Sequence, residues 1–144
     1  MLESVTELPF NRHVGILKGA TPGVLVELPA GGQYLNHVGT VHAGAQLVLA
    51  EACSGEFLLQ HLASDLEVLP VVRRVEAKFK RPANGRLIAN VVTPVATLVD
   101  AVAELERKGR CLAAIAVEII DESGQCTLAA TFDWFIAQGL ANSS

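Results

Sequence analysis

The feature that most constrains this fold is a proline-free stretch of about twenty residues from His42 to Leu62, which predicts one long helix. Its sequence, HAGAQLVLAEACSGEFLLQHL, is apolar around most of its circumference at first, as is typical of a helix buried by its surroundings. Glu51 lies within that apolar part. Burial usually raises the pKa of such a carboxylate, which suits a general base or nucleophile near neutral pH. The alternative is a structural role, in which Glu51 borders a polar cavity or pairs with a buried arginine.

Strands are predicted on both sides of this helix. Residues 15–28 form two extended segments around the turn sequence TPG, which predicts a hairpin. From Val71 onward charged residues alternate with Val75, Ala77 and Phe79, which indicates a strand with one covered face. The other predicted elements are strands at 86–93, 111–120 and 127–136, and a short helix with a capping box at Thr97 and a stop at Gly109. This order predicts an α+β fold in a single domain, residues 1–144.

The composition narrows the class of protein. Charged residues make up only 18% of the chain, against roughly 25% in typical soluble domains, which favours burial between subunits of a homo-oligomer. A net charge of -4 argues against binding to nucleic acid or an anionic membrane surface. Without a secretory signal or an apolar run of roughly 18 residues, the chain is expected to be cytoplasmic. Cys53, Cys111 and Cys126 show no CxxC spacing, so buried thiols are predicted and no disulfide or metal site.

Four further site candidates lie where the loop QYLNHVGT leads into the helix. His42 is followed by Ala43 and Gly44, small residues that allow a ligand to approach the backbone. Free N–H groups at a helix N-terminus favour developing negative charge, so the amide of Ala43 or Gly44 is a candidate oxyanion donor. Asn36, six residues before His42, is a candidate side-chain donor to the same region. The alternatives are turn chemistry for Asn36 and helix capping for His42.

The spacing of His42 and Glu51 bears on how such a site is built. Nine helical residues at about 100° each place the two side chains on opposite faces and roughly 13 Å apart along the axis. One chain therefore does not bring both to one reacting atom. A site that uses both must be shared across a twofold axis, with Asn36 and His42 from one chain and Glu51 from its neighbour.

The segment NHVGTVHAGAQLVLAE, from Asn36 to Glu51, resembles the conserved block of hotdog-fold acyl-CoA thioesterases of the phenylacetate-pathway (PaaI-like) type. The strand VEAKFKRPANGRL and the closing DESG hairpin are also similar to that family, so the resemblance covers roughly residues 13–137. It implies an antiparallel sheet wrapped around the long helix, a dimer or dimer of dimers, and hydrolysis of acyl-CoA to free acid and CoA. CoA enters as part of the substrate, and no other cofactor is implied.

The resemblance also implies residue roles. Ala43 supplies the oxyanion amide, Asn36 orients the site, and Glu51 of the partner activates water or attacks the thioester directly. Two positions depart from the family pattern. Ala43-Gly44 stands where many members have Gly-Gly, and Val71 or Val72 stands where some members carry a Ser or Thr that positions water.

A cluster of basic residues occupies the strand and turn after the helix. Six of the chain's eleven basic residues fall within fourteen positions of an otherwise acidic protein, namely Arg73, Arg74, Lys78, Lys80, Arg81 and Arg86. They are candidate ligands for the phosphates of CoA, because Arg and Lys are the usual means of holding phosphate. The alternative is a solvated strand face or protection of a sheet edge.

Two other functions fit the same fold. A non-catalytic module that binds or senses acyl-CoA would tolerate the missing Ser or Thr. A hotdog dehydratase acting on a 3-hydroxyacyl thioester also uses a His and a carboxylate. The sequence disfavours the dehydratase, because those enzymes resemble a His-x-Pro pattern before the helix and here Ala-Gly follows His42.

Overall fold

The structure is a computed structural model that describes residues 2–62 and 67–139. Two short 3-10 helices occur, one at Val5–Glu7 near the start of the described chain and one at Gly32–Tyr34 before the long helix. The helices are α1 (Pro9–Val14), α2 (Ala43–His61) and α3 (Val95–Lys108). The strands are β1 (Leu17–Lys18), β2 (Val26–Leu28), β3 (Val68–Phe79), β4 (Leu87–Val91), β5 (Arg110–Ile120) and β6 (Cys126–Gln138). None of the helices within the described residues has the length and apolar character needed to cross a membrane.

The six strands form one antiparallel sheet in the order β1-β2-β4-β5-β6-β3. Alternate residues of β5 and β6 are buried on the face that carries α2, as the period of two along a strand requires. On the helix side Leu49, Ala50, Ala52 and Cys53 have no exposed surface. A sheet wrapped around one long buried helix confirms the predicted α+β hotdog fold.

The long helix is confirmed almost to the residue. α2 runs from Ala43 to His61, with His42 as its N-cap. Because its second half is buried on nearly every side, apolar residues surround the axis there instead of forming one stripe. The predicted hairpin at 15–28 is also present, although its strands are short, with Leu17 paired to Glu27.

The predicted start of the second helix is wrong. α3 begins at Val95, with Pro94 as N-cap and no side-chain capping bond, so the Thr97 to Asp100 pair lies inside the helix. The fixed φ of Pro94, -64°, suits a helix entry, and the N–H of Thr97 already bonds to the carbonyl of Pro94. The predicted stop is confirmed, because Gly109 adopts the left-handed conformation at the C-cap.

β3 lies at the edge of the sheet, and the face predicted to be covered is exposed. Val75, Ala77 and Phe79 pair with inward-facing residues of β6 and so point to the helix side of the sheet. Val75 is nevertheless 47% exposed and Phe79 44%. α2 packs chiefly on β2, β4, β5 and β6, so this end of β3 lies beyond the helix. An apolar face beside an unpaired strand edge is a surface that a partner strand would cover.

Candidate functional site

The start of α2 is organised by His42. Its Nδ1 atom accepts the N–H of Gly44 at 2.8 Å, and its carbonyl accepts the N–H of Gln46 at 3.2 Å. A Cβ atom at Gly44 would lie 3.1 Å from that Nδ1, so a glycine leaves room for the imidazole cap. Because Nδ1 is an acceptor, the hydrogen of the neutral ring is assigned to Nε2, which is left as a donor at the helix end.

The two candidate oxyanion amides are thereby distinguished. The N–H of Gly44 is engaged by His42. The N–H of Ala43, at the first position of α2, finds no acceptor among residues 2–62 and 67–139, and Ala43 is exposed. It also lies at the positive end of the helix dipole. Within the described residues, Ala43 therefore offers an unbonded N–H to an anion at the helix start.

Asn36 organises the loop that leads into α2. Its Oδ1 atom accepts the N–H groups of Val38 and Thr40, each at 3.0 Å, and its Nδ2 atom donates to Thr40 Oγ1 at 2.9 Å. These bonds are the turn chemistry that was the alternative for this residue. The N–H of His42 then bonds to the carbonyl of Tyr34 at 2.7 Å, which fixes the loop to the helix end. Among the described residues one hydrogen of the Asn36 amide has no acceptor, and the role of Asn36 in orienting a substrate stays a prediction.

Glu51 is half-buried at the middle of α2. Within the part of the chain that the structure describes, its carboxylate has no hydrogen-bond or ion-pair partner. Burial raises the pKa of this carboxyl above its ordinary value. Gly44, Leu47 and Val48 lie on the same side of the helix and are also half-exposed, as spacings of three and four residues predict. Glu51 thus belongs to a partly open, otherwise apolar helix face.

The structure does not bring His42 and Glu51 together in one chain. Both belong to the same uninterrupted helix, nine positions apart, so roughly 13 Å of helix axis separates them. Asn36, His42 and Ala43 cluster at the N-terminal end of α2, and Glu51 lies about two and a half turns further on.

The six basic residues differ in their surroundings. Arg86 makes a bidentate ion pair with Glu27, with both N–O distances 2.8 Å, and the bonded guanidinium holds the pKa of Glu27 below its ordinary value. Arg74 pairs with Glu76 at 3.1 Å on the exposed strand. Arg73 lies over the Phe135 ring at 5.4 Å. These three arginines have partners within the chain, and Lys78 is an exposed residue of β3.

Lys80 and Arg81 lie just before a backbone hydrogen bond to the loop that leads into His42. Both are exposed in the turn after β3. The same turn reaches the loop two residues later, where the N–H of Val41 bonds to the carbonyl of Ala83 at 2.9 Å. The basic turn is therefore attached to the residue that precedes His42.

Two features were not predicted from the sequence. An open pocket of about 370 Å³ lies beside the same loop, lined by Pro29, Ala30, Gly31, Gly32, Tyr34, Leu35, Val41 and Gly85. The second feature is a buried hydrogen bond of 2.9 Å from Thr127 Oγ1 to Gln46 Oε1. The sequence signal for this buried bond was a glutamine in the first turns of an apolar helix. No group of three or more potential metal ligands occurs within the described ranges.

Comparison with known proteins identifies relatives by sequence family and by fold. The family described as Domain of unknown function (DUF4442) matches residues 15–136. No curated protein matches the chain. Among solved structures, PA5026 from Pseudomonas aeruginosa, described as a probable thioesterase, has a TM-score of 0.79 and is 22% identical. The match covers 94% of this chain and 91% of that one.

Two other solved structures share the fold at low identity. The thioesterase SAV0944 from Staphylococcus aureus subsp. aureus Mu50 is 16% identical, with a TM-score of 0.59 over 84% of this chain and 91% of that one. BH2602 from Bacillus halodurans, solved with CoA, is 18% identical, with a TM-score of 0.53 over 77% of this chain and 69% of that one.

Proposed function

The chain belongs to the DUF4442 family, and from that starting point we propose that it is an acyl-CoA thioesterase whose active site is shared between two subunits. The observation that carries the proposal is that, among residues 2–62 and 67–139, the N–H of Ala43 at the start of α2 and the half-buried carboxylate of Glu51 at its middle have no partner. One group suits an oxyanion and the other a general base.

The chemistry follows from these two groups. The thioester carbonyl accepts the N–H of Ala43 and the Nε2–H of His42, which stabilise the negative charge that develops on its oxygen. Glu51 takes a proton from water as the water oxygen attacks the carbonyl carbon. The C–S bond then breaks, and the proton passes to the departing CoA thiolate. Direct attack by Glu51, through an anhydride that water then hydrolyses, uses the same residues.

The shared site is supported by surfaces that one chain leaves open. The helix side of β3 exposes Val75 and Phe79, and the half-open face of α2 carries Leu47, Val48 and Glu51. Both surfaces lie on the helix side of the sheet, and β3 is an edge strand. In a twofold dimer formed along β3, these apolar surfaces are covered and Glu51 of one subunit is brought towards the helix start of the other.

Other proteins of this fold supply two supporting observations. BH2602 was solved with CoA, so the fold accommodates that ligand there. Two solved structures of SAV0944 carry alanine in place of a glutamine and of a glutamate, at positions fifteen residues apart. Asn36 and Glu51 have the same separation in this chain. The side-chain amide and carboxylate pair at that spacing is consistent with the roles proposed here.

CoA recognition is assigned to the basic turn. Lys80 and Arg81 are exposed and adjoin the His42 loop, whereas Arg73, Arg74 and Arg86 have partners within the chain. Charge-assisted contacts from these two residues to the phosphates would leave the pantetheine arm directed towards Ala43.

The test is thiol release from a panel of acyl-CoAs of graded length and aromaticity. Wild-type protein is expected to release CoA from at least one, and Glu51→Gln to lower kcat by about 10²-fold or more with little change in KM. Glu106→Gln, at an exposed position of α3, is the matched control and should leave kcat unchanged. Undiminished turnover in Glu51→Gln would contradict the mechanism. Tight binding of acyl-CoA without thiol release from wild type would instead indicate a non-catalytic binding module.

A further inference from the structure

β6 contains a β-bulge at Thr127. Ile119 pairs with Leu128 and Ile120 pairs with Cys126, so Thr127 is an extra residue with no partner on β5. Its side chain has no exposed surface. Bulges change the direction of a side chain and are over-represented beside active sites. This one places the hydroxyl and the carbonyl of Thr127 in bonds outside the β5–β6 ladder.

The hydroxyl of Thr127 bonds to α2. Its Oγ1 atom donates to Oε1 of Gln46 at 2.9 Å, and Gln46 is only 3% exposed. Gln46 is also the residue whose backbone N–H closes the first turn on the carbonyl of His42, at 3.2 Å. The bulge is therefore connected to the turn of helix that presents the Ala43 amide.

The carbonyl of Thr127 bonds to the basic turn. It accepts the N–H of Lys80 at 2.8 Å and the N–H of Arg81 at 3.5 Å. A second connection, from the N–H of Val41 to the carbonyl of Ala83 at 2.9 Å, lies on the other side of His42 along the chain. Thr127 is thus bonded to the side chain of Gln46 in the first turn of α2 and to the backbone of Lys80 and Arg81, the two exposed basic residues.

We propose that Thr127 and Gln46 are positioning residues that fix the distance between the phosphate-binding cations, Lys80 and Arg81, and the oxyanion donor of Ala43. The inference rests on the proposed function. When the phosphates of CoA bind the turn, the hydrogen bonds of Thr127 to Gln46 and to the turn keep the thioester carbonyl at the start of α2. Neither residue touches the substrate. A displacement of about 1 Å between the phosphate-binding cations and the oxyanion donor lowers the rate by a large factor.

The test compares two thioesters of one acyl group, the CoA ester and the N-acetylcysteamine ester, which lacks the nucleotide and its phosphates. Thr127→Val keeps the side-chain shape but removes the donor. We expect kcat/KM for the CoA ester to fall by about tenfold, mainly through kcat, and for the short ester by less than about threefold. Gln46→Met should reproduce this selective loss, and Thr127→Ser, which keeps the hydroxyl, should restore the native ratio.

Equal losses for the two esters, or no loss for either, would overturn the inference while leaving the thioesterase proposal intact. If Thr127→Val does not fold, the Gln46→Met and Thr127→Ser variants provide the same comparison of ester selectivity. The proposed function fails separately, when wild-type protein releases thiol from neither ester.

Discussion

The imidazole Nδ1 of His42 lies 2.8 Å from the backbone nitrogen of Gly44 and accepts its hydrogen. This bond caps α2 and removes one of the two amides that the sequence offered as oxyanion donors. Ala43 keeps the other, with no acceptor among the described residues. The capping residue thereby determines which backbone group faces a ligand.

Ala43→Pro is expected to abolish most activity without unfolding the protein. Proline is favoured at the first helical position, and His42 already has the extended backbone, ψ 139°, that a following proline requires. The substitution removes only an unbonded N–H. We expect kcat to fall by about 10² to 10³-fold with Tm unchanged. Thiol-release kinetics and thermal melts check this. The control is Val95→Pro at the first position of α3, which should leave both values unchanged, and full activity in Ala43→Pro would exclude this amide.

His42 is expected to have two separable roles. Asparagine is among the best N-cap residues but has no group in the place of Nε2–H. His42→Asn should therefore keep Tm while lowering kcat, and His42→Ala should lower both, with a loss of about 1 kcal/mol in the free energy of unfolding. Denaturant melts and kinetics on the two variants distinguish the roles. Native kcat in His42→Asn would show that His42 serves only as a cap.

Glu51 is expected to lower stability at neutral pH. Burial raises the pKa of Glu51 in the folded state above the 4.5 of the unfolded chain. The stability linked to the protonated carboxyl is therefore complete below pH 4.5 and is lost as pH rises through the folded pKa. Glu51→Gln keeps the neutral form at every pH. Its Tm should match wild type near pH 4 and exceed it at pH 8. A variant that is less stable than wild type at pH 8 would contradict this.

Arg86 is expected to contribute to stability and not to CoA binding. It forms an ion pair with the buried carboxylate of Glu27, whose pKa is lowered in the folded state. The stability that this ion pair contributes is therefore present above pH 4.5 and is lost as pH falls through the folded-state pKa of Glu27. Arg86→Met should lower Tm by several degrees at pH 7, and by less as pH falls, with KM for acyl-CoA within about twofold of native. Lys80→Met should do the reverse, raising KM about tenfold at native Tm. A large increase in KM for Arg86→Met would restore Arg86 to the CoA site.

The fold was largely predictable because its strongest signals are local. The proline-free apolar stretch marked α2, and the stop at Gly109 and the hairpin turn before β6 followed from turn chemistry. The short α1 was missed, although Pro9 at its start and Gly15 at its end were visible signals. At six residues it is too short to show helical periodicity, and a buried tertiary contact, Glu56 with Ser4 and Val5, holds the segment before it.

The candidate site residues could be named from the sequence, and their roles stay a prediction, whereas their hydrogen bonds could not be foreseen. Asn36, His42 and Glu51 stand out by type and spacing. Whether the Ala43 or the Gly44 amide is bonded to His42 depends on a hydrogen bond that no residue pattern encodes. The partners of Arg73 and Arg86 are distant in sequence. The Thr127 bulge depends on strand register, which only the assembled sheet fixes.

The central claim is that each site takes Ala43 from one subunit and Glu51 from the other. The measurement is thiol release by a co-refolded mixture of Ala43→Pro and Glu51→Gln chains, each inactive alone. Random assortment makes about half of the dimers hybrid, and a shared site restores one of the two sites in each, so about a quarter of wild-type activity is predicted. If each site lies within one chain, every site in the mixture keeps one defect. Activity no higher than the sum of the two separate variants would contradict the shared site.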